Sequence, residues 1–233
     1  MFQRSSALES AENGGWVSIA DMMTGLMIVF MFIAIIYIRP LMEQNERIKE
    51  IAVAFNEGEA SIFEALSNEF KDDLAVWNAD LDRETLSIRF KSPDVLFEQG
   101  KAELRPQFKN ILDDFFPRYI GVLNGHSNHI QEVRIEGHTS SDWAADATPL
   151  RAYFNNMGLS QARTRTVLNY SLSRNGISEL HPWTLTTVTA NGMSSSRVIL
   201  LDGKEDPKAS RRVEFKVRTD AKVQMVKVLE SLE

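Results

Sequence analysis

From Trp16 to Ile38 the chain is apolar with little interruption, and Met22 to Ile38 carries no charged side chain at all. As a helix these 23 residues rise roughly 34 Å at about 1.5 Å per residue, enough to cross a hydrocarbon core of about 30 Å. Trp16 and Tyr37 stand near the two ends, where amphipathic rings meet headgroups, and Arg39-Pro40 closes the run. The pattern predicts a membrane-spanning helix over 16–38. A signal peptide fits less well, because only Arg4 precedes the run and no small-x-small cleavage site follows it. A buried helix of a soluble protein is the remaining alternative.

The flanks differ in period. Residues 1–15 are small and polar and predict a tail. Over 39–78 a helical stalk is expected. Leu41, Ile48, Phe55 and Ile62 recur every seventh position, Ile51, Ala52 and Leu66 partly fill a second seam, and Glu43, Glu46, Arg47, Lys49 and Glu50 take other faces. That stripe suits a self-paired stalk or a helix lying on its own domain.

From residue 79 the periods mix. Leu86, Ile88 and Phe90 alternate with polar residues as a strand does, and Arg105 to Leu123 reads as helix. A strand around Val133-Arg134-Ile135 ends at Gly137-His138-Thr139. Leu159 to Arg174 reads as helix, stopped by Asn175-Gly176. Thr- and Val-rich Leu185 to Ala190 and alternating Val213, Phe215 and Val217 read as further strands. The order β-α-β-α-β-β predicts an α+β domain over 79–219, with helices on one face of a sheet. Val223, Val226, Leu229 and Leu232 predict a helical tail over 220–233.

Composition narrows the chemistry. The net charge is -6 and Lys and Arg are scattered among acids, so no nucleic-acid partner is expected. With no cysteine there are no disulfides, thiolate metal sites or Cys nucleophiles. His126, His129 and His181 do not make a ligand set, and no phosphate loop or Ser-His-Asp motif occurs. The expectation is a protein that is not an enzyme and holds neither metal nor cofactor.

Asp21 stands about a turn and a half into the apolar span. A charge costs about 2.5–3.5 kcal/mol near the centre of a spanning helix and less toward an end. At helical spacing Ser18, Asp21 and Gly25 share a face, with Thr24 beside them, and a small polar stripe is where another membrane helix packs. A carboxylate desolvated there can take up and release a proton near ambient pH. The alternative is a residue that caps or snorkels at the headgroup boundary. Trp16-Val-Ser-Ile-Ala-Asp21-Met-Met-Thr24 resembles the W-x-x-x-A-D-x-M-T signature of the flagellar stator B subunit (MotB). That resemblance implies that Asp21 carries the translocated ion, with Thr24 and Ser18 nearby. The ion is expected to be H+, with Na+ open.

Residues 86 to 218 resemble the OmpA-like peptidoglycan-binding domain. The matching motifs are Leu96-Phe97-x-x-Gly100-x-Ala102-x-Leu104, Gly137-His138-Thr139, Asn156-x-x-Leu159-Ser160-x-x-Arg163 and Arg211-Arg212-Val213-Glu214. The resemblance implies that Asn156 and Arg163 hold the diaminopimelate of a wall stem peptide, with Leu159, Asn155 and Thr139 shaping the pocket. Arg grips a carboxylate bidentately, and an Asn amide both donates and accepts. On its own, Arg163 would read as a surface ion pair. Ser140 stands where the family usually has Asp, and Ser210 where it often has Asn. Either Asp142 substitutes, from a loop that looks lengthened over Ser140 to Asn155, or wall binding is altered.

The segment Trp77 to Phe97, with Leu112-Asp113-x-Phe115-Phe116-Pro117-Arg118-Tyr119, resembles the B subunit of the Zorya anti-phage defence system (ZorB). This implies a peptidoglycan-anchored B homodimer inside a multi-span A subunit, a pentamer in that family, driven by ion flow. It also implies a single-pass protein of the cell inner membrane, with a cytoplasmic N-terminus and a periplasmic C-terminal domain. Charge alone leans the other way, since Arg4 precedes the span while Arg39, Arg47 and Lys49 follow it. A flagellar stator B subunit and a non-conducting membrane-to-wall tether are the alternatives. A transport-energising helper of the TolR kind lacks such a wall domain.

Overall fold

The structure is a computed structural model, and it describes residues 3–91, 96–98, 100–173 and 181–220. The chain divides into two compact units, one up to Ala54 and one from Phe55 onward. Helix α1 (Gln3–Phe70) supplies the described part of the first and opens the second.

In the first unit, Ile19–Lys49 is long and apolar enough to cross a membrane, its most apolar 18-residue window having a mean hydropathy of 2.4 with none of that window buried. Leu26, Met27, Val29, Phe30, Phe32, Ile36 and Tyr37 are all exposed. A helix this apolar, with no described residue packed over its apolar window, has lipid or another helix as its natural solvent.

The second unit is α+β, as the hydrophobic pattern predicts. Its strands are β1 (Ala79–Asp82), β2 (Ser87–Phe90), β3 (Ile130–His138), β4 (Val188–Gly192), β5 (Leu200–Leu201), β6 (Lys204–Glu205) and β7 (Arg212–Thr219). Its further helices are α2 (Pro106–Asn124), α3 (Pro149–Leu172), α4 (His181–Thr187) and α5 (Pro207–Ser210). The main sheet has the order β1-β2-β7-β3-β4, and β5 and β6 form a separate hairpin. Among the described strands only the β3–β4 pair is parallel, joined through α3 and α4 as a crossover requires.

The core lies between the sheet and the helices. On α2, Phe108, Ile111, Leu112, Phe115, Phe116, Tyr119, Ile120 and Leu123 are buried at helical spacing. Phe115 lies 4.9 Å from Phe215 and 5.1 Å from Phe90, ring centre to ring centre. Such tilted and edge-on pairs suit the ring quadrupole. The last turns of α1 join this core: Ile62, Leu66 and Phe70, four residues apart, are fully buried. Arg118 of α2 ties them down. Its Nε donates to Glu69 at 2.6 Å, its Nη2 to the Glu69 carbonyl at 2.8 Å and to Asp73 at 2.9 Å, and it covers the Phe70 ring. Of the two expectations for the stalk, packing on its own domain holds for this stretch.

Two boundaries correct the sequence reading. Helix α3 begins at Pro149, ten residues before Leu159, so Asn155 lies within the helix and the loop spans only Thr139 to Thr148. Thr148 is the N-cap, accepting from the Arg151 N–H, and Pro149 follows at the first helical position, where a missing N–H costs nothing. Leu185 to Thr187, expected as strand, close α4, and β4 begins at Val188. Thr186 bonds back to the carbonyls of Pro182 and Trp183, a local satisfaction that overrides the β propensity of Thr. The expected stop at Asn175-Gly176 and the tail from 221 lie outside the described residues.

Candidate functional site

The membrane candidates lie on α1. Asp21 is exposed, and its carboxylate has no partner among the described residues. Thr24 is occupied locally, its hydroxyl donating to the Ala20 carbonyl at 2.7 Å. One turn past Asp21, Gly25 has open space where a Cβ would stand. Ser18 is placed by the helix backbone alone, three residues before Asp21.

The second candidate site is built where α3 crosses β3 and β4. Two glycines allow the close approach. A Cβ on Gly137 would fall 2.6 Å from the Thr164 methyl, and one on Gly192 would fall 2.8 Å from the Gln161 Cα. The glycine of Gly137-His138-Thr139 therefore serves packing. Ser160 fastens the contact, its hydroxyl accepting from the Ser194 N–H at 3.0 Å.

Helix and loop then meet through the predicted residues. Asn156 is buried, and its amide donates to the carbonyls of Ser140 and Asp142, each at 3.1 Å. That fixes the loop after β3 and leaves the amide oxygen as an acceptor. Thr139 and Ser140 are buried, and the Thr139 hydroxyl has no partner among the described residues. Asp142 is exposed, while Asn155 and Leu159 are half-buried on α3.

Arg163, two turns beyond Asn156 on the same helix face, is buried. Its Nε donates to the Lys101 carbonyl at 2.9 Å and its Nη2 to that of Glu98 at 3.4 Å, and it stacks 4.9 Å over Phe97. Arg163, His138, Ser160 and Arg212 line a small cavity floored by Leu96, Phe97, Gly137 and Val213. Ser210, the other departure, is buried, and its hydroxyl accepts from the Ile199 N–H at 2.9 Å, fastening the β5–β6 hairpin.

Behind the cavity lies a buried charge ladder that the sequence reading missed. The register sets Glu214 of β7 opposite both Arg89 of β2 and Glu136 of β3, and Arg212 opposite His138. Glu214 accepts from Arg212 at 2.6 Å and Arg89 at 2.9 Å. Burial pushes its carboxyl up, but the two guanidinium groups outweigh that and hold it at about 2. His138 is pushed below its ordinary value, first by burial and then by Arg212, against the pull of Glu136 and Glu214. It stands 3.5 Å from Glu136, and neither ring nitrogen has a hydrogen-bond partner among the described residues. Glu136, His138 and Glu214 bring possible metal-ligand atoms within 4.8 Å of one another. Glu214 is held by Arg89 and Arg212, and Glu136 has the Arg197 guanidinium 3.9 Å away and Lys216 near it, so the cluster reads as an ion-pair network. The signal for it was charge at every second position in Glu136-Gly137-His138 and Arg212-Val213-Glu214.

Comparison with known proteins agrees with this architecture. A family model described as the OmpA family matches residues 96–214. The chain is 52% identical over 220 residues to the Zorya protein ZorB of Escherichia coli, covering 94% of each. Among solved structures it resembles a MotB-like protein from Desulfovibrio vulgaris, with TM-score 0.51, 21% identity, and coverage of 71% of this chain and 93% of that one. It also resembles the cell wall anchor of the T6SS from Pseudomonas aeruginosa, with TM-score 0.43, 22% identity, and coverage of 66% and 96%.

Proposed function

We propose, on the premise that this chain belongs to the ZorB family and carries an OmpA family domain, that it is the wall-anchored B subunit of an ion-driven stator serving anti-phage defence. The observation that carries the reading is Asp21: a carboxylate on an exposed apolar helix, in a W-x-x-x-A-D-x-M-T setting, with no partner among the described residues. Such a group needs a partner from another molecule. A multi-span A subunit around a B homodimer would supply it, the span crossing the inner membrane with the C-terminal domain in the periplasm.

In this reading Asp21 accepts an ion, H+ or Na+, from the A subunit and passes it on. The membrane potential supplies about 2.3 kcal/mol per charge per 100 mV. The second unit holds still against the wall. Asn156 offers its amide oxygen to the ammonium of a diaminopimelate stem, Arg163 exchanges backbone carbonyls for the ligand carboxylate, and exposed Asp142 stands in for the acid that Ser140 replaces. Segment 41–55 blocks the ion path until the wall is engaged. Its deletion raises the ion leak of cells coexpressing the A subunit, and an unchanged leak removes the plug.

The test is phage plating on cells carrying the operon, wild type against Asp21→Asn at matched membrane levels. Asn keeps the shape and removes the titratable charge. Loss of protection with assembly intact supports the ion carrier. Retained protection makes the chain a tether. If the wild type gives no protection, the defence role falls and swimming motility is the next assay.

A further inference from the structure

The loop held by Asn156 carries Trp143, one residue past Asp142. Its backbone is tied down on both sides. Asn156 bonds the carbonyls of Ser140 and Asp142. The Ser141 N–H donates to Glu205 at 2.9 Å, and its hydroxyl donates to the other oxygen of that carboxylate. After the tryptophan, the Ala147 N–H closes a turn onto the Ala144 carbonyl at 3.0 Å. On this pinned loop of Ser, Asp and Ala the indole stays 42% exposed. It enters none of the aromatic pairs found among the described residues, whereas Trp77 joins three. From the helix side Phe154, two residues before Asn156, is 63% exposed. A scattered exposed apolar residue is ordinary. A large, rigid aromatic on a fastened loop, next to the bonds that build a binding pocket, is what recognition surfaces use.

The chemistry of the wall says what reaches it. A stem peptide hangs from a glycan strand by its N-terminal end, so a pocket holding its third residue lies about three residues, roughly 10 Å, from the sugar. A pyranose ring presents a face of C–H bonds with partial positive charge, the complement of the negative face of an indole. We infer that Trp143 forms a glycan subsite, stacking on the sugar to which the gripped stem peptide is joined. The inference rests on the wall-binding reading above and adds the sugar to its ligand.

The test uses the full chain in detergent micelles and calorimetric titration with three probes. These are a free stem tripeptide ending in diaminopimelate, the same tripeptide on its disaccharide, and glycan chains stripped of peptide. The wild type should bind the disaccharide-tripeptide about tenfold more tightly than the tripeptide, the scale of one well-packed aromatic contact. Trp143→Ala should erase that difference and leave tripeptide binding as in the wild type, while Trp143→Tyr keeps most of it. An equal loss for both ligands assigns Trp143 to the loop or to a subunit contact and overturns the inference. An unchanged difference also overturns it. If the wild type binds neither peptide probe, the stem pocket is wrong. Trp143-dependent binding of the stripped glycan would then keep the subsite, and no binding of any probe removes both.

Discussion

Asp21 and Glu214 are both carboxylates set among apolar side chains, one on the span of α1 and the other in the central strand β7. Glu214 is 4% exposed and has two guanidinium groups on it. Asp21 is exposed and has no partner among the described residues. The second unit settles its charges within one chain, so its electrostatics belong to folding. The first leaves a carboxylate with no partner among the described residues, and in the proposed function another molecule supplies one. The same functional group is structural in one place and unsatisfied in the other, and the neighbours decide which.

The comparison breaks most readily at Glu214. Glu214→Ala takes the carboxylate from buried Arg212, which keeps the Arg197 and Ser210 carbonyls, and from Arg89, which keeps Asp80 and Asp82; it should cost about 3–5 kcal/mol, read as a melting temperature lower by roughly 10 °C for a unit of this size. A fall of a degree or two would mean that water reaches the ladder. Gly137→Ala pushes a methyl into Thr164 and Ser160 and should cost about 1–3 kcal/mol in the same melt.

Acid comes next. The folded-state value of His138 lies below its usual 6.5, so folding favours the neutral ring, and stability falls as pH drops below 6.5, by at most about 1.4 kcal/mol per pH unit. Glu214, held at about 2 against a usual 4.5, adds a loss that begins as pH falls through 4.5 and is complete below 2. Melting temperature measured from pH 7 to 3 should fall throughout, and His138→Gln should flatten its upper part. The smallest effect on stability is expected at Asp21→Asn, with no shift in the melting of the second unit although function is lost. A shift of several degrees there would show that Asp21 is structural.

Much of this was legible in the chain. The long apolar helix declared itself by length and lack of charge, and the common face of Asn156 and Arg163 by their spacing, because seven positions along a helix return to nearly the same face. Other features depended on information no single segment holds. Pro149 looked like a loop residue until Thr148 was seen to cap the helix it opens. Glu214 was legible only as a polar position of an alternating strand; that β7 lies in mid-sheet, where Arg89 and Arg212 pair with it, was not. That Arg163 is spent on the carbonyls of Glu98 and Lys101 depends on packing between segments sixty residues apart.

The buried end of α1 sets where the molecule can be cut. A soluble fragment beginning at Ala79, where the strands start, would lack Ile62, Leu66 and Phe70 and bare the aromatic rings of Phe115 and Trp77's neighbours to water. It would also leave Arg118 facing no Glu69 or Asp73. Such a piece should express poorly and aggregate, whereas one beginning at Phe55 keeps Ile62, Leu66 and Phe70 in the core. For crystallisation, binding assays or antibody production, the useful cloning boundary lies some two dozen residues ahead of the first strand.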